Sequence, residues 1–301
     1  MELPLPDLSA APPPLVQGEP VEVSEGVYVI PDGRVPLVPN VGIVAGERAG
    51  LVIETGIGPR NGAYVLEQAR RLLGDLPLYL TITHFHPEHG FGAQAFKGEA
   101  SIVYNRSQRE ELRRKGPAYL KMFAGLGPHI AAELKDVEFV DPDLVYDGAA
   151  EIDLGGRLVE LRTWGAAHTG SDQTVLVDGR VLFGGDLIET RMFPIAPYFP
   201  PYDADVDGGH WITLLDRFIE LDPVVVVPGH GEIADAGLPA EIRDYLRHVR
   251  ARTAELKASG ASEEQAVATV DPEARSRWGT WDNPEWIGFA VRAFYADAHD
   301  Q

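Results

Sequence analysis

Four times along this chain an apolar run that reads as a buried strand ends at glycine beside a histidine or an aspartate. The first of these ends is the densest. Pro77-Leu78-Tyr79-Leu80-Thr81-Ile82-Thr83 runs directly into His84-Phe85-His86-Pro87-Glu88-His89-Gly90. Leucine and isoleucine favour burial, and the proline and glycine on either side supply breaks, so the histidines fall where a strand stops and the chain turns. Side chains two and three positions apart in such a turn converge on one point. Neutral imidazole is the commonest protein ligand for zinc, and the carboxylate of Glu88 adds an oxygen donor between the rings. The chain has nine histidines, so three within six positions are not a matter of composition.

The other three ends repeat the theme. Leu158–Thr163 leads into Trp164-Gly165-Ala166-Ala167-His168-Thr169-Gly170-Ser171, Val181-Leu182-Phe183 into Gly184-Gly185-Asp186, and Val224–Val227 into Pro228-Gly229-His230-Gly231. Glycine permits tight turns and close approach, so each donor can be aimed inward from a strand end. A single histidine or aspartate beside glycine is ordinarily a turn residue; four strand ends with metal-type donors form a pattern.

Charge narrows the partners. Lysine and arginine number 26 against 46 acids, a formal net charge of −20, which disfavours phosphate backbones and anionic lipid, so neither nucleic acid nor a membrane surface is expected as a partner. The absence of cysteine removes disulfides, thiolate metal sites and a cysteine nucleophile together. No window approaches eighteen apolar residues. Residues 1–20 are proline-rich without a basic or apolar leader pattern, and read as a flexible tail on a cytoplasmic protein. Nothing in the pattern fixes an oligomeric state.

Strands are expected over Glu22–Val29, Asn40–Glu54, Ser101–Tyr104, Val137–Val140, Leu158–Thr163, Gln173–Val177, Arg180–Phe183 and Val224–Val227. Helical spacing covers Gly62–Leu73, Gly209–Leu221, Pro239–Gly260 and Trp286–His299, and another helix is expected to open at Phe91–Phe96. Arg106–Leu134 reads as two or three short helices broken at Gly116-Pro117 and Gly127-Pro128. Two similar halves of strands followed by helix predict a layered α/β sandwich. The expected division is a domain over 21–238 and a C-terminal helical extension over 239–301, packed on it.

Taken together and in this order, His-x-His-x-Glu-His, His168, Asp186 and His230 resemble the metallo-β-lactamase superfamily over roughly Glu22–Ala236. The resemblance implies a four-layer αββα sandwich with a metal site along one edge of its two sheets. It implies that His84, His86 and His168 hold a first metal and that His89, Asp186 and His230 hold a second, with Asp186 bridging. Two zinc ions are expected, the second more weakly held, with iron or manganese as alternative metals. Glu88 stands where the family has aspartate, and Glu54-Thr55-Gly56 where it has an Asp-Thr-Gly-like turn whose carboxylate supports the site. A carboxylate one methylene longer fits the same close site poorly, so weak or absent direct ligation by Glu88 is expected, leaving it free to carry a proton.

With no cysteine and no Ser–His pair in a nucleophile-elbow context, hydroxide generated at the metal is the natural nucleophile, with Asp186 or Glu88 orienting it. The expected activity is hydrolysis of a small carbonyl substrate: an ester, thioester, lactone or lactam. A mononuclear iron enzyme resembling persulfide dioxygenases and a non-catalytic metal-binding protein are the rivals. Lactonases of the superfamily that act on acyl-homoserine lactones have a tyrosine between the third histidine and the bridging aspartate, and none lies between His168 and Asp186. The aromatic, proline-stiffened loop Met192–Tyr202 either walls the pocket or packs on the core, with Tyr198 and Tyr202 as candidate donors to substrate. Lys115–His129, with Tyr119, Met122 and Phe123, either covers the site as a lid or packs inward.

Overall fold

A computed structural model describes residues 6–200 and 203–297. Two mixed sheets lie face to face with helices on both outer sides, giving four layers. The first sheet contains seven strands in sequence order: β1 (Val21–Ser24), β2 (Val27–Ile30), β3 (Val41–Ala45), β4 (Gly50–Ile53), β5 (Leu78–Thr81), β6 (Ser101–Asn105) and β7 (Leu144–Tyr146). Strands β1 to β4 pair antiparallel, and β4 to β7 pair parallel. The second sheet contains β8 (Ala149–Asp153), β9 (Leu158–Gly165), β10 (Asp172–Val177), β11 (Val181–Gly185) and β12 (Val225–Pro228), in the order β12-β11-β10-β9-β8. Its β11–β12 pair alone is parallel.

Alternation along the strands sorts side chains between layers. Val27, Val29, Val44, Leu51 and Ile53 meet Val159, Leu161, Val175, Val177 and Phe183 between the sheets. On the outer side of the first sheet, Ile43, Val52 and Leu80 pack against Val65 and Ala69 of α1 (Pro59–Leu73) and Leu112 and Tyr119 of α3 (Arg106–Ala124). The second sheet is covered by α5 (Gly208–Leu221) and α6 (Leu238–Ala258), whose Trp211, Leu215, Ile242 and Tyr245 share a core with Leu182 and Val226. Two further helices, α7 (Glu263–Arg277) and α8 (Ile287–Asp297), join that core through Ala266, Val270, Ile287 and Val291. The C-terminal helices are therefore built into the outer layer.

Several expectations change in the structure. The strand expected over Glu22–Val29 is a hairpin turning at Gly26, whose φ is +65°. Phe91–Phe96 opens only a 3-10 turn over Ala93–Phe96. Val137–Val140 is not a strand; it follows Asp136 at a left-handed φ of +64°, and β7 begins four residues after it ends. Helix α3 runs unbroken through Gly116-Pro117, whereas a separate short helix, α4 (Pro128–Glu133), begins at the expected break Gly127-Pro128. Proline removes one backbone bond, but an Asn105/Gln108 capping box fixes the start and Leu112, Tyr119 and Phe123 are buried along it, so packing outweighs the local break. In the segment expected as a tail, residues 6–20 lie on the body: the Leu8 amide donates to Leu126 O, and the Val16 amide to Asn61 Oδ1. Among the described residues no helix is long and apolar enough to cross a membrane.

Candidate metal centre

The four strand ends converge at one edge of the sandwich. After β5 the chain enters α2 (Pro87–Gly90), a single helical turn with proline at its start, where a missing N–H costs nothing. This turn carries Glu88 and His89 and follows His84 and His86. His168 lies in the turn between β9 and β10, Asp186 just past β11 and His230 just past β12. All seven side chains are buried.

They form two groups. One ligand atom from each of His84, His86, His168 and Asp186 lies within 4.8 Å of the others, and the same holds for Glu88, His89, Asp186 and His230. Asp186 belongs to both because its two oxygens face apart. Oδ2 is 3.7 Å from His84 Nε2 and from His168 Nε2, while Oδ1 is 3.3 Å from His89 Nε2 and 3.7 Å from His230 Nε2. His168 Nε2 is 3.3 Å from His86 Nδ1, which completes the first group. Glu88 is thus brought into the second group despite its longer arm.

Four of the rings have an oxygen beside the outward nitrogen, whereas His86 Nε2 has no hydrogen-bond partner. His168 Nδ1 meets Ile195 O at 3.1 Å and His230 Nδ1 meets Val38 O at 2.9 Å, contacts that place the proton on Nδ1 and leave Nε2 facing inward. His84 Nδ1 is 3.1 Å from Thr83 Oγ1, and His89 Nδ1 is 3.3 Å from Glu54 Oε1. Glu54 also accepts the Thr83 amide at 3.1 Å, and its backbone has φ +75°, a conformation that costs a non-glycine residue about 1–3 kcal/mol. The carboxylate expected to support the site is therefore held in place at some cost.

The turns are fixed by groups that sequence reasoning did not single out. Asp172 accepts from the His168 and Thr169 amides at 2.7 and 2.9 Å and from Thr169 Oγ1 at 2.6 Å. Burial pushes its carboxyl up to about 8 against these bonds. In the connection between β2 and β3, Asn40 donates to Pro228 O and Gly231 O and Asp32 accepts the Gly231 amide, so this connection grips the His230 turn. At Gly229 a Cβ would lie 2.0 Å from Asp186 Oδ1, so only glycine lets the two turns approach.

Electrostatics divide the two groups. Burial drives His84 and His86 well below their ordinary values and His168 down to about 4, leaving three neutral donors. Burial also opposes charge on His89, but Asp186 and Glu54 outweigh it and raise this imidazole well above the ordinary value. Asp186 is held well below the usual range; burial opposes this, and His89, His230 and His84 prevail. Burial raises Glu88.

The residues fit a pair of metal ions. His84 Nε2, His89 Nε2, Glu88 Oε2 and Asp186 Oδ1 are buried without a hydrogen-bond partner. Buried polar atoms are ordinarily satisfied, so inward-facing orphans are donors in want of cations. All are nitrogen or oxygen, a set that suits zinc and also iron or manganese.

A cavity of about 400 Å³ opens beside the second group. His86, Glu88, Asp186, His230 and the buried Glu189 form its floor, and Leu37, Met122, Phe123, Ile195, Phe199 and Trp286 are among its apolar walls. Tyr119 resolves the lid-or-core question in both senses. It is buried, stacks on the His86 ring at 5.2 Å, donates to Asp203 at 2.6 Å and lines the cavity. The Met192–Tyr202 loop lends Met192, Ile195, Pro197 and Phe199 to the wall, whereas Tyr198 packs on the second-sheet core and is not among the lining residues. Tyr202 lies outside the described residues. Of the remaining histidines, His210 bonds Ala166 O and supports the His168 turn.

Residues 34–230 match the family model described as the metallo-beta-lactamase superfamily. Among solved structures, the sec-alkylsulfatase Pisa1 from Pseudomonas sp. superposes with a TM-score of 0.72 at 16% identity, covering 93% of this chain and 50% of that one. This chain therefore spans about half the length of that protein. A metallo-beta-lactamase from Pontibacter korlensis gives 0.61 at 20% identity over 77% of this chain and 99% of its own. The metallo-beta-lactamase DIM-1 gives 0.59 at 16%, covering 77% and 98%. No curated protein matches the chain.

Proposed function

Because the chain belongs to the metallo-beta-lactamase superfamily, we propose that it is a hydrolase that works with two metal ions, zinc in the first instance, on a small carbonyl substrate such as an ester, thioester, lactone or lactam. The observation that carries this reading is the division of Asp186, one oxygen toward His84 and His168 and the other toward His89 and His230. A carboxylate that serves two donor groups is what a binuclear site requires.

His84, His86, His168 and Asp186 would hold one ion, and Glu88, His89, Asp186 and His230 the other. Bound there, divalent ions lower the pKa of water toward about 7 and polarise the substrate oxygen. The protein supplies the remainder. Ile195 O, Val38 O and Glu54 fix ring orientation, and the apolar walls exclude bulk water, which strengthens every charge interaction at the floor. Glu88 and Asp186 would carry the proton from the attacking water to the leaving group.

The test is metal analysis of protein purified without added metal, joined to a panel of chromogenic lactams, lactones, thioesters, esters and an alkyl sulfate. Two ions per chain and hydrolysis abolished by chelation are expected. One iron per chain with oxygen consumption on persulfide, and no hydrolysis, would overturn the reading in favour of a dioxygenase.

A further inference from the structure

The cavity floor is rich in buried carboxyl groups. Asp32, Glu54, Glu88, Asp186 and Glu189 are all buried around the second donor group, and all but Glu54 line the cavity. Two divalent ions and one hydroxide would supply three positive charges to a floor that holds these five carboxyl groups. Asp282 and Glu285 add further negative charge at the rim. Arg34 is the one basic residue among the described lining residues, and its guanidinium is already bound to Glu232 and Asp282. Lys115, behind Tyr119, is bound by Glu111, Asp203 and Asp205. An anionic substituent on a substrate would therefore meet no free arginine or lysine among the described lining residues.

Glu189 gives the floor a direction. It is 1% exposed, its Oε2 has no hydrogen-bond partner, it lines the cavity, and it is not among the side chains that share either donor group. Burial, with the nearby Asp186 carboxylate, pushes the Glu189 carboxyl well above the usual carboxylate range, and a cation brought to such a group favours its ionised form. Apolar walls of the same cavity, Trp286 and Phe199 among them, suit the alkyl shell of an ammonium group. We propose that the substrate is an apolar carbonyl compound bearing an ammonium group, and that Glu189 is the residue that selects it. This deepens the hydrolase reading and rests on it.

The test is a charge cycle. The nitrophenyl ester of trimethylammonio-butyrate is compared with its carbon isostere, in which a tert-butyl group replaces trimethylammonium, on the metal-loaded protein and on Glu189→Gln. The wild type should prefer the cationic ester by about tenfold in kcat/KM, and Glu189→Gln should bring the ratio near unity. The ratio of two esters on one preparation does not depend on how much of the variant is folded. Calorimetric titration with choline and with its carbon isostere, dimethylbutanol, gives a readout free of turnover, with choline the tighter ligand only when Glu189 is present. Equal handling of the two esters, or a preference unchanged in Glu189→Gln, overturns the proposal while leaving a hydrolase. Absence of hydrolysis across the whole panel of esters, thioesters, lactones and lactams fails the hydrolase reading instead, and the choline titration then decides the role of Glu189.

Discussion

Replacing Glu54 separates the support of one donor from the support of the fold. Its Oε1 lies 3.3 Å from His89 Nδ1 and accepts the Thr83 amide at 3.1 Å, while Oε2 has no partner. Glu54→Gln keeps an oxygen for the amide but removes the charge that orients His89. Loss of such an orienting partner weakens metal binding by about 10–100-fold, and the effect should fall on the Glu88–His89–Asp186–His230 group alone. Glu54→Ala removes the acceptor as well, leaving a buried amide unpaired at about 1–3 kcal/mol. For a protein of this size that is roughly 2–12 °C in melting temperature, taking about 2–4 °C per kcal/mol. Equilibrium dialysis against graded chelator, with metal counted per chain, reads the first effect, and melting of the metal-free protein reads the second. Parallel loss of both metals in Glu54→Gln, or equal melting of the two variants, would refute this division of labour.

Asp186→Asn should lower occupancy of both sites together, since both oxygens are used; full turnover with two bound metals would remove its bridging role. Binding to the second group should release more protons than binding to the first, because His89 and Glu88 are both raised while His84, His86 and His168 are neutral already. Affinity at that group therefore rises with pH until the His89 pKa is passed, and calorimetry in buffers of different ionisation enthalpy measures the difference. Tyr119→Phe keeps the ring on His86 but drops the bond to Asp203, at a cost of about 1.5–3 kcal/mol in stability with metal content unchanged. Tyr119→Leu should in addition weaken the first site, which metal counting would show.

The donors were legible because strand ends and glycine turns are local signals. His84, His86, His89, His168, Asp186 and His230 each announce themselves beside an apolar run, and the structure brings all six together. Glu88 was legible in identity but not in reach, because arm length alone ignores how the α2 turn sets its backbone. What stayed hidden is non-local. Asp172 reads as an unremarked strand residue until its bonds to the His168 turn are seen. Glu189 becomes a cavity residue only through the folding of β11 and its turn against β12. Helix α7, with Pro272 inside it and weak segregation of polar and apolar residues, offers no periodicity to detect, and is held by Ala266, Val270 and Ala274 in the core. Gly116-Pro117 misled in the opposite sense, a strong local break overridden by packing.

The arrangement of donors has a consequence for folding. Each group draws from both sheets: His84, His86, Glu88 and His89 follow β5 of the first, while His168, Asp186 and His230 follow β9, β11 and β12 of the second. Neither group is complete until the halves have docked, so an ion bound in either one acts as a cross-link between the layers and stabilises the docked state against the unfolded chain. Linkage sets the size: free metal at a hundred times its dissociation constant adds about 2.7 kcal/mol. At about 2–4 °C per kcal/mol, chelation should lower the melting temperature by roughly 5–11 °C for each ion removed. The drop should appear as one transition that shifts, because both sheets lose the same link. A melting temperature indifferent to chelator in protein shown to have bound metal, or a separate early transition of one half, would mean that the layers dock without help from the metal centre.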